Sequence, residues 1–272
     1  MTGQERTSDG APVSNRRAEI DAWDALGPDG RTMARSVVLA GTVRCERCQL
    51  PPRWCVCAGL GPVESALQVD VLMHHREQWR PSSTGKLIER IVSGARTHVY
   101  RREAPPAREM VVRPGRELWV LHPLGEPLAA EALPPAENVQ VLLLDGSWGE
   151  AAEMMRAVEP WGRRVRLPME GKSRYWLREQ QEEGKFSTVE ALLFLLAALG
   201  QKDAEAKLRL HFELHVYASL LARGRKWPAA EYLDSSPIKS ALPEFLGRLV
   251  ERRRGEPHAA RKSGAERQGE AE

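Results

Sequence analysis

The chain has 272 residues, 42% of them hydrophobic, and a formal net charge of +3 from 40 basic and 37 acidic side chains, with a pI near 8.7. That apolar share supports a packed core and excludes a wholly disordered chain. No apolar run approaches the roughly 18 residues a membrane-spanning helix requires, and the mild positive charge permits a nucleic-acid partner without demanding one.

Residues 1–40 read as an N-terminal extension. Met1 to about Arg17 is polar and rich in Gly, Ser and charge, the composition of a disordered segment, and Ile20 to Leu39 reads as one or two short helices. The opening MTGQERTSDG lacks the apolar centre of a secretion signal, so a cytoplasmic protein is the expectation.

All the cysteines, Cys45, Cys48, Cys55 and Cys57, fall in CERCQLPPRWCVC. The pairs C-x2-C and C-x-C, joined by a Pro-rich turn, can offer four thiolates to one tetrahedral Zn2+. Such an ion would be structural, because no coordination position stays open. A disulfide or free redox-active thiols are the alternatives, and a reducing compartment disfavours the disulfide. Residues 41–60 are therefore read as a zinc knuckle. Arg44, Arg47 and Arg53 around it either touch phosphate or offset the thiolate charge.

From residue 61 to 251, strand and helix signals alternate. Leu67–Met73 is an apolar run that reads as a buried strand. His74 and His75 follow it; neighbours on a strand point to opposite faces, which disfavours a shared metal. The polar loop then carries Glu77, Arg80, Ser83, Thr84 and Lys86, and Ser82, Ser83 or Thr84 caps a helix from about Lys86 to Val92. Thr97–Tyr100 and Glu117–Leu121 read as strands, Glu103–Gly115 as a loop, and Ala129–Leu133 as a short helix.

Val141–Leu144 is the next buried strand, and it stops at Asp145-Gly146. Ser147 stands three residues before Glu150, the spacing of a capping box, and Ala151, Met154 and Met155 give the new helix an apolar face. A strand running straight into a capped helix leaves free N–H groups at the sheet's carboxyl edge, where open α/β sheets bind ligands. Asp145 and Trp148 stand there, either as site residues or as cap and packing. Arg163–Leu167 is a further strand. The alternation argues an α/β fold with a mostly parallel sheet.

Lys172 to Arg178 interleaves basic and aromatic residues, which suits unpaired nucleotides or the outer face of an amphipathic helix. Ser187 and Glu190 make a second capping box before the apolar helix Val189–Leu199. Asp203–Arg223 reads as a long amphipathic helix, with His211 and His215 on one face assigned to packing, and a last helix starts near Leu242. Residues 252–272 read as a charged, disordered tail.

Taken in order, CERCQLPPRWCVC, HHREQWRPSSTGKL, LHP, DGSW and SRYWLREQQEEGKFSTVEAL resemble the DTW-domain family, the tRNA-uridine aminocarboxypropyltransferases, from about Cys45 to Arg223. The family's Asp-any-Thr-Trp signature reads Asp145-Gly146-Ser147-Trp148 here, and its usual Thr-Asn-Thr-Gly loop reads Ser82-Ser83-Thr84-Gly85. The resemblance implies a SPOUT-like α/β fold with helices flanking the sheet and a C-terminal knot that binds S-adenosylmethionine. It implies transfer of the aminocarboxypropyl group to N3 of a tRNA uridine, with methylthioadenosine released.

The catalytic set implied is Asp145, Ser147 and Trp148, with the Asp145 carboxylate open to the incoming base as proton acceptor. Leu121, His122, Pro123, Leu144, Asp145, Gly146, Lys185, Phe186, Ser187 and Thr188 would face the cofactor. Arg80, Ser83, Thr84, Lys86, Ser173, Arg174, Tyr175 and Arg178 would hold tRNA. The partners implied are tRNA and no membrane, with a monomer favoured. A methyltransferase using the same cofactor and a non-catalytic zinc-knuckle RNA-binding module are the rival readings.

Overall fold

Five strands form: β1 (Gln68–His74), β2 (Arg96–Tyr100), β3 (Glu117–Pro127), β4 (Val139–Asp145) and β5 (Arg163–Arg166). A computed structural model describes residues 43–80, 83–128, 133–178 and 184–251. The expected N-terminal helices, nearly all of the expected helix from Ala129, and the charged tail lie outside those residues. The strands form one sheet in the order β2-β1-β4-β3-β5, and every pair is parallel. β1 and β4 lie at its centre with Met73 opposite Asp145. Central parallel strands are covered on both faces, which is why they read as nearly unbroken apolar runs.

The helices are α1 (Thr84–Ile91), α2 (Arg108–Val111), α3 (Trp148–Val158), α4 (Thr188–Ala198), α5 (Lys202–Ala222), α6 (Lys226–Asp234), α7 (Ile238–Ala241) and α8 (Pro243–Glu251). Side chains alternate across the strands. Val69, Val71, Met73, Val141 and Leu143 face a core shared with α1, α4 and α5, and Cys48, Leu50 and Cys55 enter the same core. Leu72, Leu142, Leu118 and Val120 face the other side, where Met154, Met155 and Val158 of α3 cover them. On that second face Asp70 is fully buried and is satisfied by Arg96 Nε at 3.0 Å, His98 Nε2 at 2.9 Å and Gln140 Nε2 at 2.8 Å.

Three expectations need revision. The Glu103–Gly115 loop contains the short helix α2, and α6 and α7 precede the expected last helix. β3 runs past Leu121 to Pro127 through an irregularity in which Leu121 and Glu126 both register with Val165. Gly125 permits this approach, since a Cβ there would sit 2.5 Å from the Val165 carbonyl carbon. Among the described residues, no helix is long and apolar enough to cross a membrane.

α5 runs through the main core, with Leu208, Phe212, Leu214, Val216 and Leu220 buried. His211 Nε2 lies 2.7 Å from the Gly61 carbonyl oxygen, and His215 is buried with no partner for its Nδ1. Burial, with Arg90 adding to it, holds the His215 imidazole down from its ordinary 6.5 to about 4. Between those values the unfolded chain takes a proton that the folded chain refuses, so stability is complete above 6.5 and falls as pH drops toward 4. Against a His215→Leu variant, the wild type's unfolding free energy from urea titration should fall behind progressively across that window, by up to about 3 kcal/mol.

Candidate active site at the carboxyl edge of the sheet

β1 and β4 are neighbours, yet the chain leaves β1 toward β2 and returns to β4 from the opposite side, so their carboxyl ends flank a topological switch point. Three helices begin there, and each start is fixed locally. The Ser147 hydroxyl accepts from the Glu150 N–H at 3.4 Å while Glu150 accepts from the Ser147 N–H at 2.7 Å, which caps α3. Ser187 and Glu190 repeat the arrangement at α4 with the same distances. Ser83 caps α1, accepting from the Lys86 N–H at 3.3 Å.

Asp145 joins these starts. Its Oδ2 accepts a hydrogen bond from the Ser83 hydroxyl at 2.8 Å, and its Oδ1 accepts one from the Thr188 hydroxyl at 2.6 Å. The sequence reading expected a carboxylate open to an incoming base; instead it is closed off, and Asp145 is only 3% exposed. A carboxylate at the meeting of two helix starts gains both hydroxyl donors and favourable backbone dipoles, which is the physical reason it is drawn inward. Partly exposed around it stand Thr188 and Trp148; Trp148 is 53% exposed, and Lys185 Nζ lies 5.9 Å from its ring centroid.

The expected cofactor residues gather along this edge. Pairing of Val120 with Leu142 carries Leu121, His122 and Pro123 up beside Leu144, where β3 departs from regular pairing. Leu121, His122, Leu144, Gly146, Lys185, Phe186, Ser187 and Thr188 are half-buried and Pro123 is exposed. The Phe186 ring meets Phe194 edge-on at 5.1 Å, anchoring the approach to α4.

The expected RNA-binding residues divide. Ser173, Arg174 and Tyr175 turn inward instead. The Ser173 hydroxyl and the Arg174 N–H donate to Glu190, at 3.0 and 2.6 Å. The Arg174 guanidinium is spent on Glu213 at 2.9 and 3.3 Å, on the Tyr232 carbonyl and on Ser235. Tyr175 stacks on Phe212 at 6.3 Å. Glu190 and Glu213 are buried carboxylates, and each must find donors or cost several kcal/mol. Ser83 and Thr84 are buried in the α1 cap, and the Lys86 ammonium donates to the Gln78 carbonyl. Arg80 and Arg178 stay partly exposed, and both pair with Glu77.

Glu77 is the loop residue that sequence reasoning named without giving it a role. It is wholly buried, and burial first, then the Asp145 charge, pushes its carboxyl up from the ordinary range. Its partner Arg178 is far away in sequence, so no local pattern announces the pair.

On the sheet's α1 flank, the four cysteine sulfurs lie within 4.8 Å of one another, with Cys45–Cys57 at 3.6 Å and Cys48–Cys55 at 3.7 Å. Tetrahedral Zn–S bonds of about 2.3 Å put sulfurs about 3.8 Å apart, so the set could hold one zinc ion. Hydrogen bonds from Cys55 and Cys57 lower the Cys48 thiol, whereas the hydrogen bond with Cys48 pushes Cys55 up to about 12.

A parallel sheet flanked by helices, three of whose starts converge at its carboxyl edge, together with a four-cysteine cluster that could hold zinc, defines an α/β protein. The chain belongs to the DTW-domain family, whose DTW domain model matches residues 42–220. It is also 26% identical over 213 residues to the Drosophila melanogaster protein named "tRNA-uridine aminocarboxypropyltransferase 2", covering 75% of this chain and 80% of that one. No solved structure matches.

Gly85 lies against the central carboxylate; a Cβ there would fall 2.7 Å from Asp145 Cγ and Oδ2. Alanine usually stabilises a helix, by about 1 kcal/mol over glycine. Gly85→Ala should instead lower the thermal midpoint by several degrees, read by calorimetry, because either α1 or Asp145 must move.

Proposed function

We propose that the protein transfers the 3-amino-3-carboxypropyl group of S-adenosylmethionine to N3 of a tRNA uridine, on a SPOUT-like sheet with a C-terminal knot. Membership of the DTW-domain family and the name of the Drosophila relative support this reading. The observation that carries it is the Asp145–Thr188 hydrogen bond beside an exposed Trp148.

Bound S-adenosylmethionine supplies an electrophilic methylene next to a sulfonium. Leu121 to Pro123, Leu144 to Gly146 and Lys185 to Thr188 would hold it, offering loop backbone and half-buried side chains at the sheet edge. The remaining work belongs to the chain. Uridine N3 carries a proton and is a poor nucleophile until that proton moves. Trp148 offers a ring face on which uracil stacks, and the Ser147–Glu150 box holds Trp148 in the first turn of α3. The Thr188 hydroxyl already donates to Asp145, so its lone pairs remain to accept the N3 proton while its own proton passes to Oδ1. Asp145 is thus the final proton acceptor, acting through Thr188 from a buried position.

Asp145→Asn and Thr188→Val should each reduce transfer by about 10²–10⁴-fold at saturating S-adenosylmethionine, the loss falling on kcat. Mass spectrometry of nucleosides from tRNA incubated with protein and cofactor reads the added group, and methylthioadenosine release counts turnovers. A methyl group on the product, or no product at all from the wild type, would replace this reading.

Cys45, Cys48, Cys55 and Cys57 would hold a structural Zn2+. Metal analysis of purified protein should find about one zinc per chain. Its removal by a chelator, or Cys48→Ser, should lower the thermal midpoint, because Cys48 and Cys55 belong to the main core.

A further inference from the structure

Glu77 sits in the 3-10 turn His75–Trp79 that follows β1, and none of it is exposed. A carboxylate so buried persists only when paired. Its Oε1 meets Arg80 Nη1, and its Oε2 meets Arg178 Nη2 at 3.4 Å. Two guanidiniums from distant segments are thereby drawn to opposite oxygens of one anion. One nitrogen of each is committed to Glu77, while 43% of the Arg80 side chain and 45% of the Arg178 side chain stay exposed. A guanidinium carries five donors, so both keep several for a ligand.

Between Glu77 and Arg80 in the chain stands Trp79, 83% exposed, the most exposed large apolar side chain described. A cationic pair beside a bare aromatic face is the chemistry of single-stranded nucleic acid, in which phosphate meets cation and an unpaired base stacks on a ring.

We propose that Glu77 is a positioning residue that sets Arg80 and Arg178 as a clamp for one phosphate of a single-stranded stretch of the RNA substrate, with Trp79 stacking on an adjacent base. The clamp rests on the tRNA-modifying reading and specifies which side chains outside the reacting centre hold the strand. It also gives Glu77 a function distinct from proton transfer: the carboxylate touches the arginines and not the uracil.

The test is equilibrium binding of a tRNA transcript at several salt concentrations, with S-adenosylmethionine binding measured in parallel by calorimetry. Arg80→Ala and Arg178→Ala should each weaken tRNA binding on the order of tenfold. Because both serve one phosphate, the double variant should reduce the slope of log K against log salt by only about 0.7 in total, not twice that. Trp79→Ala should weaken binding on the order of tenfold with the slope unchanged. Glu77→Gln, which keeps both arginines, should weaken tRNA binding as one arginine loss does and raise KM for tRNA with kcat little changed. Glu77→Asp should restore part of the loss, and serves also if the Gln variant folds poorly.

Unchanged salt slopes in the arginine variants would overturn the clamp, as would wild-type tRNA binding by Glu77→Gln. Loss of S-adenosylmethionine affinity with tRNA binding intact would overturn it too, by assigning the arginines to the cofactor's carboxylate. The two readings fail separately. Clamp-dependent tRNA binding without any added group would sink the transfer reaction alone, and transfer that ignores Arg80 and Arg178 would sink the clamp alone.

Discussion

The pair of hydroxyl hydrogen bonds to Asp145 is the joint on which the rest of the site hangs. β4 ends in a carboxylate that is 3% exposed, and its two oxygens are met by Ser83 from 62 residues earlier and Thr188 from 43 residues later. A buried anion without donors is strongly destabilising, so α1 and α4 must start where they do relative to β4. Gly85 completes the fit by leaving room for the carboxylate. The same two bonds that order the fold leave Thr188 half-exposed with an oxygen free to accept, so structural constraint and chemistry share one geometry.

Local signals carried much of this into the sequence. The Ser147–Glu150 and Ser187–Glu190 spacings are complete capping boxes, and the apolar runs of β1 and β4 are its two central strands. Such signals act over three or four residues and survive folding unchanged. The misses are long-range. Arg174 looks like a phosphate ligand until Glu213, 39 residues away, is seen beside it. Tyr175 looks like a stacking platform, but Phe212 receives it in the core. The β3 extension depends on Val165 of a strand not yet formed when β3 is read. In each case burial of a partner from elsewhere decides, and sequence spacing is blind to that.

Glu190 shows how few buried carboxylates suffice to organise the second half of the chain. It closes the α4 capping box and also accepts from the Ser173 hydroxyl and the Arg174 N–H. Arg174 then reaches Glu213 on α5, with its guanidinium 4.1 Å from the Tyr232 ring centroid on α6. One chain of charge-assisted bonds thus spans the loop before α4, α4 itself, α5 and α6. Ser173, Arg174 and Tyr175, which sequence reading offered to RNA, are instead the mortar between helices, and in the proposed clamp Arg80 and Arg178 alone of the charged side chains would hold the strand.

An open parallel sheet ends in two strands with one unsatisfied side. Among the described residues those are β2 and β5, each bonded to a single neighbour. β5 reads Arg163-Arg164-Val165-Arg166, and β2 opens with Arg96. Arg96 is held by Asp70 and Arg163 by Glu126, and another strand adding itself by main-chain pairing would have to displace or desolvate these charged side chains. The sheet therefore carries its own safeguard against growth into fibrils, written in the residues of its two outermost strands.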